Sequence, residues 1–225
     1  MKRSSQAPPN WSVDQTEASF REQVLNLAPD LVLLQELPRM VPFVETHGMV
    51  RANPESHSGN LATLVRHELL ATEPTVTTVA GCGILTTFHQ MLTVANVHLA
   101  PGPGKRAEAE RLEQFAEIVE SSPTEAIVIV GDTNTRVGEV STLEAADLHG
   151  EQPPSPTWDS RRNRFDEGPN HHEFHAYFTR WFASPGVSVS DVQVLDDPLE
   201  NDGHRFHLSD HFAMSGSISW DVGGF

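Results

Sequence analysis

The chain has 225 residues, 15 Lys and Arg against 31 Asp and Glu, a formal net charge of −16 and one cysteine. Neither a Gly/Ser-rich linker nor a repeat divides it, so one domain with a sizeable core is expected. The acidic balance disfavours strong non-specific binding of long nucleic acid, which needs a basic face; carboxylates can gather a divalent cation, although solubility alone also accounts for much of the charge. A lone cysteine excludes an internal disulfide. No apolar run approaches the roughly 20 residues needed to span a bilayer, and the polar start Met1–Trp11 lacks the apolar stretch of a secretory signal. A cytoplasmic monomer is the expectation.

Residues 1–11 are polar and contain prolines, the composition of a loose arm before a single domain over 12–225. Ser12 followed by Gln15 fits a capping box and predicts a helix over 13–27, with Phe20, Val24 and Leu27 on one side and Ala28-Pro29-Asp30 as its stop. Leu31–Leu34 is a short apolar run, read as a buried strand; 61–66 and 83–88 read as two more. Met91–His98 is a strand with a polar tip. After the turn at 101–104, Leu112, Phe115, Ala116 and Val119 recur at helical spacing over 105–120. Ala126–Val130 is a central strand by its β-branched content. Residues 136–172 are polar, with few regular signals. Residues 174–182 and 187–194 read as a strand pair, and 212–220 alternate as a half-buried final strand. Two helices and about eight strands in this order suit an α+β fold, a four-layer α/β/β/α sandwich of two mixed sheets flanked by helices.

Four segments share one layout, an apolar strand whose end carries metal- or phosphate-competent groups. They are Gln35-Glu36 after Leu31–Leu34, Asn96-Val97-His98, Gly131-Asp132-Thr133-Asn134 after Ala126–Val130, and Ser209-Asp210-His211 before the last strand. Singly, each is an ordinary loop start, Asx-turn or surface pair. Together they place carboxylates, imidazoles and an amide where neighbouring strand ends can converge. A hard cation such as Mg²⁺ needs only one or two carboxylates and keeps several waters. Phosphoester hydrolysis further needs an oriented water and cationic groups for the charge developing on phosphorus.

In this order LLQE, NVHL, IVGDTN and SDH resemble the motifs of the endonuclease/exonuclease/phosphatase superfamily, over roughly residues 15–220. AERLEQF at 109–115, PTWDSRRN at 156–163 and the aromatic-Phe-Thr-Arg of Tyr177–Arg180 are similar to its tyrosyl-DNA phosphodiesterase 2 branch and bacterial relatives. The resemblance implies a hydrolase that uses Mg²⁺ or Mn²⁺ and water to cleave a phosphoester, a nucleic-acid end or a small phosphorylated molecule. It implies Glu36 as metal ligand with Asp210 on the metal side, and Asp132 orienting or deprotonating the water. Asn134 would hold water and phosphate, while His98 and His211 would contact and stabilise the phosphorus centre. Trp158, Asp159 and Arg111 would lie on the substrate side.

Two departures stand out. Residues 1–11 contain no apolar strand, where the family opens with a strand delivering an asparagine to the metal site. Second, His175 is read at the place of the aspartate that orients the last histidine; a neutral imidazole stabilises a neighbouring imidazolium poorly and a charged one repels it. Asp166, Glu167 or Glu173 could substitute, and His171, His172 and His175 are read as part of a polar loop, with transition-metal binding as the alternative. These departures keep open a second reading, a catalytically impaired relative that binds a metal or a phosphorylated partner.

Overall fold

The structure, a computed structural model, describes residues 4–37, 44–51, 60–79, 81–144, 147–163, 165 and 173–221. Helix α1 (Val13–Leu27) starts with the expected capping box: Ser12 Oγ accepts from the Gln15 N–H at 3.2 Å, and Gln15 Oε1 accepts from the Ser12 N–H at 2.8 Å. There follow β1 (Leu31–Leu37), β2 (His47–Arg51), β3 (Asn60–Arg66), α2 (His67–Leu70), β4 (Thr75–Val79), β5 (Gly83–Phe88), β6 (Leu92–His98), α3 (Lys105–Glu120), β7 (Ala126–Asp132) and α4 (Val137–Glu144). The last part holds β8 (Trp158–Asp159), β9 (His175–Ala176), β10 (Thr179–Ala183), β11 (Val187–Leu195), β12 (Leu199–Asn201), β13 (His204–Phe206) and β14 (Ala213–Trp220).

The central sheet runs β10-β7-β6-β5-β4, with β6 and β7 parallel and the other pairs antiparallel. Side chains alternate across it. Leu85, Ala95, Val97, Ile127, Ile129 and Phe182 face Phe115 and Ile118 of α3 and Leu143 of α4. The opposite set, Ile84, Val94, Val128 and Trp181, faces a second layer made of β1-β3-β2 and the β11–β14 pair. Helix α1 closes the far side, with Phe20 and Val24 against Val32, Leu34 and Leu64. The order helix, sheet, sheet, helix is the expected α+β sandwich. Strands β1 and β14 each have one partner among the described residues, β3 and β11 respectively.

Several expectations are corrected. Residues 4–11 form no strand, but neither do they hang loose: the Ser5 N–H donates to Phe165 O at 2.9 Å, and Trp11 packs edge-on against Phe206 at 4.7 Å. The strands over 174–182 and 187–194 do not pair; β10 joins β7 in the central sheet and β11 joins β14 in the other layer. The buried face of α3 is Arg111, Phe115 and Ile118, leaving Ala116 and Val119 exposed. The polar stretch after residue 136 contains α4.

Arg111, expected at the substrate, rotates that face inward. It is fully buried, donates from Nε and Nη2 to both Glu139 carboxylate oxygens at 2.8 and 2.6 Å, and from Nη1 to the Ala100 and Gly102 carbonyls at 2.8 and 3.1 Å. This clamp ties α3 and α4 to the turn after β6 and leaves no face for a ligand.

Gly131 lies on β7 opposite Val97 of β6 at φ 142°, a left-handed value, and a Cβ there would collide with the Val97 carbonyl oxygen. Gly131→Ala is therefore expected to destabilise the fold by about 2 kcal/mol or more, read as a lower urea midpoint. Arg111→Met strands a buried carboxylate and should cost about 3–5 kcal/mol, most of it recovered by adding Glu139→Leu. A substrate-binding arginine would instead raise KM and leave the unfolding curve in place.

Candidate active site

Three adjacent strands of the central sheet end at one level. In the β6–β7 register His98 lies opposite Asp132, and in the β10–β7 register Thr179 lies opposite Asp132. Register partners share a face, and this face looks toward the β1 layer.

Across the gap, β1 breaks register between Leu34 and Leu37, with Glu36 at φ 51°. The buried Asn96 amide fixes this bulge. Its Oδ1 accepts from Gln35 Nε2 at 2.7 Å, and its Nδ2 lies 2.9 Å from Ala62 O and 3.3 Å from Leu34 O. Glu36 consequently reaches over the sheet, its Oε1 3.6 Å from His98 Nε2. His98 Nε2 is 3.5 Å from Asp132 Oδ2, and His211 Nε2 is 3.8 Å from the same oxygen. Glu36, His98, Asp132 and His211, distant in sequence, thus form one continuous chain of contacts.

The other expected residues take distinct places. Asn134, at φ 52°, donates its N–H to Asp132 Oδ1 at 3.2 Å and its Nδ2–H to Leu99 O at 3.1 Å. It holds the aspartate from behind. Asp210 stands beside His211 in the chain, and its carboxylate accepts from Ser209 Oγ at 3.4 Å. Trp158 belongs to an aromatic ladder: its ring lies 5.5 Å from Phe174 and 6.4 Å from Phe178, and Phe178 lies 6.1 Å from His211. Asp159 is turned to local use, Oδ1 accepting from the Arg161 and Arg162 N–H groups at 2.9 and 3.4 Å. Arg111 is the buried clamp described above.

His175 is also corrected. It is exposed on β9, opposite Asp159. The group at His211 Nδ1 is the Thr179 hydroxyl, at 3.4 Å. Glu173, a suggested substitute, pairs with Arg161 at 2.7 Å; Asp166, Glu167, His171 and His172 lie outside the described residues.

The sequence reading missed Thr179, Phe178, Phe174 and Arg136. The parity of β10 signals the first: Trp181 and Ala183 point into the inter-sheet core, so Thr179 does too. Arg136 stacks on Phe178, Cζ 4.3 Å from the ring centroid. Its pKa is lowered, by burial first and then by Arg111, while Glu139 and Asp132 pull it up; an arginine remains charged regardless. Cys82 is no candidate nucleophile: burial, and secondarily Glu117, push its thiol up to about 12. A cavity of about 370 Å³ lined by Arg162, Asp196, Arg205, Phe206 and His207, among others, includes none of the predicted site residues.

Among the described residues no three His, Cys, Asp or Glu side chains form a metal cage. A hard divalent cation does not require one. The Glu36 carboxylate, 67% exposed at the mouth of the cluster, is an oxygen donor of the kind such an ion takes. No helix among the described residues is long and apolar enough to cross a membrane.

Residues 5–211 match the family described as Endonuclease/Exonuclease/phosphatase. No curated protein sequence matches the chain. Among solved structures it is similar to D. rerio TDP2 complexed with a single-strand DNA product, at 17% identity over 94% of each chain with a TM-score of 0.65. Truncated Caenorhabditis elegans TDP2 matches at 17% identity over 96% of this chain and 94% of that one, with a TM-score of 0.64. A Bacteroides thetaiotaomicron mannosyl-6-phosphatase matches at 15% identity over 92% of this chain and 91% of that one, with a TM-score of 0.62. Identities this low speak to the shared fold, whereas the sequence match runs through all four strand-end motifs, and on that match the chain belongs to the endonuclease/exonuclease/phosphatase family.

Proposed function

We propose that the chain is a divalent-metal-dependent phosphoester hydrolase in which water attacks phosphorus. The observation that carries this reading is the continuous contact from Glu36 through His98 and Asp132 to His211. Asp132 is the group that orients and deprotonates the water: Oδ1 is pinned by the Asn134 N–H, leaving Oδ2 to the cleft. His98 and His211 flank that oxygen and donate to the phosphate as charge gathers on it. Glu36 and Asp210 would hold a Mg²⁺ or Mn²⁺ ion, which would supply Lewis-acid polarisation of a phosphoryl oxygen. Arg136, beside Asp132 and braced on Phe178, adds a fixed cation.

The ladder Trp158, Phe174, Phe178 supports a substrate with a flat group next to the phosphate, such as a nucleic-acid end, since aromatic rings stack bases without regard to sequence. A net charge of −16 works against a long duplex and for a terminal or small phosphoester. The second reading, a family member that binds but turns over poorly, is favoured by the neutral Thr179 hydroxyl at His211.

Hydrolysis of a generic phosphodiester should require added Mg²⁺ or Mn²⁺ and stop on chelation. Asp132→Asn and His211→Ala should each lower kcat by about 10²–10⁴ with the fold intact by circular dichroism; parent-like rates in both would sink the site assignment. Binding without turnover in the parent would select the second reading. Arg136→Ala should raise KM about tenfold, and an unchanged KM would remove it from the substrate site.

A further inference from the structure

We infer that Thr179 is the positioning residue of His211; the inference rests on the phosphoesterase reading of this site. Thr179 Oγ1 lies 3.4 Å from His211 Nδ1, on the side of the ring opposite Nε2, which faces Asp132. Three interlocking hydrogen bonds fix the pair. The Thr179 N–H donates to Thr157 Oγ1 at 3.0 Å, the Phe212 N–H donates to Thr157 O at 2.8 Å, and the Thr157 N–H donates to Ala176 O at 3.0 Å. Thr157 is fully buried, so one rigid residue holds both the strand that carries the hydroxyl and the loop that carries the imidazole. The His211 N–H is held in turn by Ser209 Oγ at 3.1 Å.

A side chain at Nδ1 decides which ring nitrogen faces the cleft. Without it, a half-turn about Cβ–Cγ exchanges ring atoms at almost no steric cost, and Nε2 loses its aim at the phosphate. A carboxylate can only accept from Nδ1; a hydroxyl donates or accepts. Thr179 therefore orients the ring without adding charge.

The test compares Thr179→Val, Thr179→Ser and His175→Ala in the full chain, with Mg²⁺ and a generic phosphodiester. Thr179→Val is nearly isosteric and should lower kcat about fivefold to tenfold with KM within about twofold. Thr179→Ser should restore most of the rate, and exposed His175→Ala should have no effect. A second readout needs no turnover: ¹⁵N resonances of the His211 ring, assigned with His211→Gln, should move in Thr179→Val and return in Thr179→Ser. Parent kcat in Thr179→Val, unmoved ring resonances, or sensitivity to His175→Ala instead would each overturn the inference. A parent that does not turn over but whose ring resonances follow residue 179 would defeat the phosphoesterase reading and leave the positioning of His211 standing.

Discussion

Asn96 is wholly buried between the two sheets, and its amide bonds to groups of β1 and β3 that no covalent link holds near β6. A buried amide left unsatisfied costs about 1–3 kcal/mol, so the layers can approach only in the register that satisfies it. That register places the β1 bulge over the end of β6 and Glu36 above His98. The contact of 3.6 Å between them is a consequence of packing deep in the sandwich. An apolar residue at 96 would pack the layers with nothing to select the bulge, and the exposed Glu36 carboxylate would have no defined place.

Charge in the site is arranged against the average of the chain. The net is −16, yet the ground behind Asp132 and Glu139 is occupied by Arg111, Arg136 and Arg180. Arg180 is buried, donates from Nε to Tyr177 O at 2.6 Å, and has its pKa lowered by burial while Tyr177 and Glu139 pull it up. These three guanidinium groups offset part of the negative charge that Glu36, Asp132 and Glu139 bring to the site.

Much of this was legible because strand ends announce themselves. Leu31–Leu34, Met91–His98 and Ala126–Val130 are apolar runs followed abruptly by polar groups, and a run buried on both faces can only continue into the rim of the sheet. The Ser12–Gln15 cap was legible because it is local. What failed was non-local. Nothing local within 174–194 records that β10 pairs with β7 while β11 pairs with β14. Arg111 reads as a surface helix residue until Glu139, 28 positions on, is brought against it. His175 was read at the place of the residue that orients His211, and Thr179 was passed over, because the short β9 and the two residues after it interrupt the period; counted from the Trp181–Ala183 core positions, the inward residue is Thr179.

The same contrast divides the work of the site. His98, Asp132 and Thr179 sit on three neighbouring strands whose spacing the ladder fixes, so their mutual geometry is as rigid as the sheet itself. His211 and Phe174 sit on connections, which tolerate change, and Trp158 on the two-residue strand β8. Thr157 joins the two sets, bonded to Thr179 on the strand and to Phe212 on the loop, and it directly precedes Trp158. A shift of the aromatic wall would therefore be felt at His211 through the buried threonine and through Phe178, while Asp132 and His98 stayed where the sheet holds them. On the proposed reading, the loops can then change what the cleft accepts while His98 and Asp132 keep the geometry the ladder sets.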